Sequence, residues 1–163
     1  MYEELLDLLL ALDGVRQSPL HHPEGDALYH SLQAFELARR ATDDRGMWAA
    51  ALLHDVGKAV SSPEHDAIGA DLLGGIVAPR IVWLVRHHLD LLYRPGLTRR
   101  RLRGTRALRD LVLLRRWDAG GRSPTAVVPS PEEALAALFD GDVTSLLPGE
   151  GAAFSADGQE ERS

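Results

Sequence analysis

His54-Asp55-Val56-Gly57-Lys58 sets two metal-ligand side chains next to each other at the end of an apolar run and follows them with a glycine and an ammonium group. The preceding Met47-Trp48-Ala49-Ala50-Ala51-Leu52-Leu53 carries no charge and is rich in helix formers, which predicts a buried helix, with Gly57 as its C-terminal stop. Burying an imidazole and a carboxylate without partners is costly, and a metal ion is one partner that removes the cost. Neighbours on a regular helix point about 100° apart, so both can reach one ion only from a helix end, where these two sit. Lys58 is the only lysine in the chain; the other seventeen of the 18 basic residues are arginine. A single ammonium beside a metal centre suits a phosphate or carboxylate ligand.

His30 and Asp118 extend the set. With His54 and Asp55 they supply two imidazoles and two carboxylates from three separate helices, each residue near a helix end. This donor set suits Mn, Fe, Co, Ni or Zn, and positions left open to water suit catalysis better than structure. The chain has no cysteine, so it holds neither a disulfide framework nor a thiolate zinc site.

The elements that must carry these residues are all helical. Leucines at 5, 6, 8, 9, 10 and 12 predict an N-terminal helix over Tyr2 to Asp13, stopped by Gly14. A loop with Pro19 and Pro23 follows, in which His21, His22 and Glu24 read as loop residues, Glu24 at the pocket mouth. Asp26 caps a second helix reaching Ala41, and Asp43 or Asp44 starts the buried third. A fourth runs from about Glu64, with Gly69-Ala70 allowing close packing and Gly74-Gly75 ending it. The fifth spans Pro79 to about Leu91. Thr98 to Arg103 and Thr105 to Asp118 follow, and Ser130 caps the last helix. The expectation is an all-α single domain of about six or seven helices over residues 1–147, with an acidic, disordered tail over 148–163.

At 163 residues the chain is long enough to bury a core. No apolar run reaches membrane-spanning length and the N-terminus carries Glu3, Glu4 and Asp7, so a cytoplasmic protein is expected. A net charge of −6 opposes bulk attraction to nucleic acid, yet ten arginines lie between Arg94 and Arg122 against only Asp110 and Asp118. One face is expected to be locally positive.

These motifs resemble the HD-domain metal-dependent phosphohydrolases, whose signature is a His, a later His-Asp pair and a distant Asp. Here that pattern falls on His30, on His54-Asp55 and on Asp118. Within the family the sequence is most similar to the HD domain of bacterial CCA-adding tRNA nucleotidyltransferases: His22-Pro23-Glu24-Gly25-Asp26 before His30, and Trp117-Asp118-Ala119-Gly120-Gly121-Arg122, look like its first and last motifs. No nucleotidyl-transferring domain precedes the motif, so the resemblance is expected to carry the HD domain and not tRNA end processing.

The resemblance implies an HD-type helical bundle, a divalent ion (Mn, Fe, Co, Ni, Mg or Zn) on His30, His54, Asp55 and Asp118, and hydrolysis of a nucleotide or another small phosphomonoester or phosphodiester. Asp55 and Lys58 take the catalytic roles, Lys58 neutralises phosphate charge with His65 and His88 as further substrate contacts, and arginines of the Arg99 to Arg109 region hold the rest of a nucleotide. His65, His87 and His88 are the residues for a second ion. Two other readings stand beside this one: a di-iron HD-type oxygenase, and a non-catalytic module that binds a nucleotide or RNA through the arginine-rich segment.

Overall fold

The computed structural model describes residues 1–149 and 154–156, and all regular secondary structure among them is helical, apart from one isolated antiparallel bridge between Arg16 and Asp26. The helices are α1 (Tyr2–Leu10), α2 (Ala27–Ala41), α3 (Arg45–Leu53), α4 (His65–Leu73), α5 (Pro79–His87), α6 (Asp90–Tyr93), α7 (Pro95–Arg101), α8 (Arg106–Gly120) and α9 (Pro131–Phe139), with 3-10 turns at Val56–Ala59 and Thr144–Leu146. No described helix is long and apolar enough to cross a membrane.

Helix α3 is the axis of the bundle. Ala49, Ala50, Ala51, Leu52 and Leu53 are all buried, and α3 packs against α2, α5, α8 and α9. Three successive alanines keep the helix thin, so α2 and α5 approach its backbone closely while Phe35, Leu84, Leu111 and Leu114 fill the space around it. Each of these larger side chains contributes about 1.5–3 kcal/mol through burial.

Three helix starts follow the caps expected of them, at Asp26, Asp44 and Ser130, and Thr105 caps a fourth. Asp26 accepts from Tyr29 N at 2.9 Å, Asp44 from Met47 N at 3.2 Å and Thr105 from Leu108 N at 3.2 Å. Ser130 and Glu133 form a reciprocal capping box.

Four helices differ from the expectation at their ends; the one expected over Thr98 to Arg103 runs Pro95–Arg101. Helix α1 stops at Leu10 and reaches Gly14, at φ 77°, through further turns. The fifth helix ends at His87 and not near Leu91, because the His88 ring donates from Nδ1 to the Val85 carbonyl and tightens the chain there. Gly57 is not the stop of α3. Its φ is not positive, and it lies inside the turn Val56–Ala59 where α4 crosses. A Cβ there would overlap the His65 carbonyl oxygen and stand 2.7 Å from Gly69 N, so glycine is required by close approach and not by a left-handed backbone.

The disordered tail expected over 148–163 falls largely outside the described residues. Within it, Phe154 packs on Trp83 with ring centroids 5.4 Å apart and the rings tilted by 52°, and Ala156 packs against the core.

Candidate metal centre

His54 and Asp55 stand where α3 ends, and α2, α4, α5 and α8 bring the rest of the cluster to that point. His30 occupies the second turn of α2, His65 the first position of α4, His88 the residue after α5, and Asp118 the last turn of α8. All six are buried.

Each of the four imidazoles is oriented by main chain. His54 Nδ1 donates to the Ala51 carbonyl at 2.8 Å, His65 Nδ1 to Ser62 at 2.7 Å and His88 Nδ1 to Val85 at 2.6 Å, in every case the residue three earlier. His30 Nδ1 donates across the bundle to Gly121 at 2.8 Å. With Nδ1 committed, every Nε2 turns inward to the carboxylates.

His30 Nε2 lies 3.1 Å from Asp118 Oδ1 and 3.8 Å from Asp55 Oδ2, and His54 Nε2 lies 3.4 Å from Asp55 Oδ2 and 3.9 Å from Asp118 Oδ1. The second oxygen of Asp55 serves the other side, 3.2 Å from His65 Nε2 and 3.7 Å from His88 Nε2. Asp55 is therefore shared by two groups of imidazoles.

The donor atoms fit a divalent ion. His54 Nε2 is fully buried without a hydrogen-bond partner, and because Nδ1 holds the proton, this atom presents a bare lone pair to two carboxylate oxygens. That arrangement is repulsive unless a cation lies between them. The ligand atoms of His30, His54 and Asp55 lie within 4.8 Å of one another, as do those of Asp55, His65 and His88. Nitrogen and oxygen donors without sulfur suit Mn, Fe, Co, Ni or Zn.

The electrostatics agree. Burial pushes the His54 imidazole down to about 4, and burial lowers His88 as well, so both rings are neutral at physiological pH. Burial would also lower His30 and His65, but the hydrogen bond to Asp118 in one case and to Asp55 in the other raises them overall. Asp55 is held well below the ordinary carboxylate range despite its burial, chiefly by His54, His65 and Lys58. The two rings raised, His30 and His65, are thus the ones hydrogen-bonded or paired to the two carboxylates.

Lys58 Nζ lies 2.7 Å from Asp55 Oδ2 and also donates to Gln17 Oε1. A pocket of about 360 Å³ opens above, lined by Asp55, Lys58, His65, His88 and Asp118 and rimmed by Arg16, Arg115 and Arg122. Arg115 Nη1 reaches Asp118 Oδ2 at 2.8 Å.

Three expectations are corrected. Glu24 is not at the pocket mouth: its side chain is buried against His30 and does not line the pocket. His87 does not join His65 and His88: one step along the helix turns its ring away to Asp90 Oδ2 at 2.8 Å and onto Trp83. The arginines of the Arg99 to Arg109 region are exposed and do not line the pocket; Arg106 pairs with Asp44 at 3.1 Å, and Arg109 is nine residues, or half a helical rotation, from Asp118 on α8. Arg115 and Arg122 line the pocket instead, three residues before and four after Asp118. For Arg115, which is on α8 with Asp118, the helical spacing was the available signal. Gln17 gave no signal, since it meets Lys58 only through the fold.

Comparison with known proteins follows the same residues. A family model described as HD domain matches residues 27–120. The Multifunctional CCA protein of Halorhodospira halophila is 38% identical over an alignment of 112 residues, covering 56% of this chain and 27% of that protein. Its namesake from Hahella chejuensis is 40% identical over 78 residues, covering 44% and 18%, and that from Methylococcus capsulatus 49% identical over 69 residues, covering 38% and 16%. The chain thus spans about a quarter or less of the length of these relatives. By its family match and its helical bundle, the chain belongs to the HD domain family.

Proposed function

We propose that the protein is a metal-dependent phosphohydrolase acting on a nucleotide or another small phosphate ester. The observation that carries this reading is the bare, buried Nε2 of His54 facing Asp55 and Asp118 beneath a pocket with a basic rim. His30, His54, Asp55 and Asp118 would hold the ion, and Asp55 Oδ1 with His65 and His88 offers ligands for a second. Such an ion supplies Lewis-acid polarisation of a phosphoryl oxygen and a nucleophile from water.

The chain's own residues do the remainder. Lys58, fixed between Gln17 and Asp55, presents a cation to the phosphoryl group, and Arg115 and Arg122 supply planar donors for its other oxygens. Leu89, Leu92 and Tyr93 give the pocket an apolar wall, suited to a nucleoside or another flat group. The pocket volume is of the size expected for a small ligand.

A di-iron oxygenase would use the same six ligands. The basic rim of Arg16, Lys58, Arg115 and Arg122 favours phosphate. A role for the exposed arginines of α7 and α8 in holding RNA would be independent of this pocket.

The test is metal content by mass spectrometry, with a phosphatase and phosphodiesterase panel run with added Mn, Ni, Co and Mg, on the wild type and Asp55→Ala. Metal-dependent phosphate release that Asp55→Ala abolishes, with helical content retained, is expected. Two irons per chain with oxygen uptake and no hydrolysis would replace this reading with the oxygenase. Activity surviving in Asp55→Ala would end the metal mechanism.

A further inference from the structure

Glu24 carries a carboxylate that no arginine or lysine neutralises among the described residues. Its side chain is 0% exposed, and its partners are two histidines: Oε1 lies 2.8 Å from His22 Nδ1 and 3.0 Å from His30 Nδ1. Its other oxygen, Oε2, is buried with no partner. A carboxylate in that position is costly to keep unless it performs work for its neighbours.

The local sequence is built to deliver it. Asp26 caps α2 through Oδ1 and binds Gly14 N through Oδ2 at 2.7 Å. Gly25 turns the chain with φ 78°. Glu24 therefore stands two residues before the cap and folds back over the first turn of α2 to meet His30, the fourth residue of the helix. This is a polar counterpart of the hydrophobic staple that joins a residue before the cap to the fourth helical position. Aspartate, one methylene shorter, lacks the reach.

We propose that Glu24 is a positioning residue for the metal centre: its Oε1 stands 3.0 Å from His30 Nδ1, beside the hydrogen bond this nitrogen gives to the Gly121 carbonyl, and so holds His30 Nε2 on Asp55 and Asp118. The inference rests on the reading of His30 as a ligand. His30 is the one imidazole of the four whose carbonyl partner lies far away in sequence, and it is the one with a carboxylate behind it. The same Oε1 contacts His22, which lines the pocket. One oxygen thus links a side chain at the pocket wall to a ligand at its floor. A carboxylate behind a ligating imidazole fixes its tautomer and strengthens it as a ligand, and losing such a partner weakens metal binding by about 10- to 100-fold.

The experiment is titration of the metal-free full chain with Co(II), followed by calorimetry and visible absorption, in wild type, Glu24→Met, Glu24→Gln and Asp55→Ala. Glu24→Met keeps the volume and removes the acceptor; its Co(II) affinity is expected to fall about 10- to 100-fold with a changed visible band. Glu24→Gln, which keeps an oxygen of the same reach beside His30 Nδ1, is expected to recover most of the loss. Wild-type titration curves for both Glu24 variants, with Asp55→Ala unable to bind, would overturn the positioning role alone. A Glu24→Met protein that binds one ion fewer with unchanged affinity for the rest would also overturn it, because Glu24 would then be a ligand itself. Asp55→Ala binding Co(II) as wild type does would instead refute the metal centre. If Glu24→Met fails to fold, the nitrogen chemical shifts of His30 in zinc-loaded wild type carry the test. A proton on Nδ1 is expected, and the opposite tautomer overturns the proposal.

Discussion

Replacing Gly57 with alanine places one methyl group at the crossing of the Val56–Ala59 turn and α4, where the nearest atoms are the His65 carbonyl and Gly69 N. Both are backbone, so no side chain can rotate away. Overpacking costs about 1–3 kcal/mol, and an obstruction by backbone belongs at the upper end. Removing a glycine from a helical turn returns about 0.5–1 kcal/mol, which leaves a net loss of about 2 kcal/mol. For a domain of this size that is a fall in Tm of about 4–8 °C. The assay is thermal melting followed at 222 nm in metal-free buffer. Gly57→Asn separates the two roles a glycine can have here. Asparagine is the best substitute for a left-handed helix stop, but it is larger than alanine and should be at least as harmful at a close approach. A Gly57→Ala protein melting within about 1 °C of wild type, or an asparagine variant more stable than the alanine one, would refute the reasoning.

Metal binding should weaken as pH falls below neutral. His30 and His65 are raised above the ordinary imidazole value, so an incoming ion must displace their protons, whereas His54, at about 4, offers no such competition. Calorimetry in buffers of different ionisation enthalpy should show proton release, about a tenfold loss of affinity per pH unit for each proton displaced; pH-independent binding would contradict the assignment. Arg80 holds Asp44 at 2.9 Å and Asp110 at 2.8 Å, and Arg80→Met should cost about 2–4 kcal/mol near neutral pH by leaving two carboxylates with only the exposed Arg106 to pair with. Burial raises Asp44, but Arg80 lowers it overall, so its contribution is present above its unfolded value and lost as pH falls through the folded one. The difference in Tm between Arg80→Met and wild type should therefore shrink below about pH 4. Ser130→Ala, which removes the capping box of α9, should cost about 1 kcal/mol by chemical denaturation, and no change would refute the cap's contribution.

Much of this was legible because caps and apolar spacing act locally. Asp26, Asp44, Thr105 and Ser130 start helices within one residue of where the pattern puts them. Their side chains bond to backbone three residues on, and such signals need no tertiary contact. The cluster of His30, His54, Asp55 and Asp118 could be marked in advance because buried polar residues on apolar helices need partners. What could not be read were contacts made across the fold. Gly57 looks the same in sequence whether it supplies a positive φ or an absent side chain. Glu24 and Gln17 acquire their roles only when the loop after α1 folds over α2 and the end of α3. His87 and His88 are both candidates for a second ion until the exact end of α5 decides which ring faces inward.

The habit of His54, His65 and His88 of donating Nδ1–H to the carbonyl three residues earlier has a consequence for how the site survives motion. Ala51 and Val85 lie in the last turns of α3 and α5, where carbonyls lack an intrahelical donor, so two of these rings serve as helix caps through one nitrogen while offering the other to the centre. Their aim is set within a single turn of chain and persists as long as that turn does. His30 has no such local anchor; it is held by Gly121 and Glu24, from two other segments. A fluctuation that parts α8 from α2 would leave three imidazoles aimed and the fourth beside Glu24 alone, so the centre should loosen from the His30 side while its other half stays assembled.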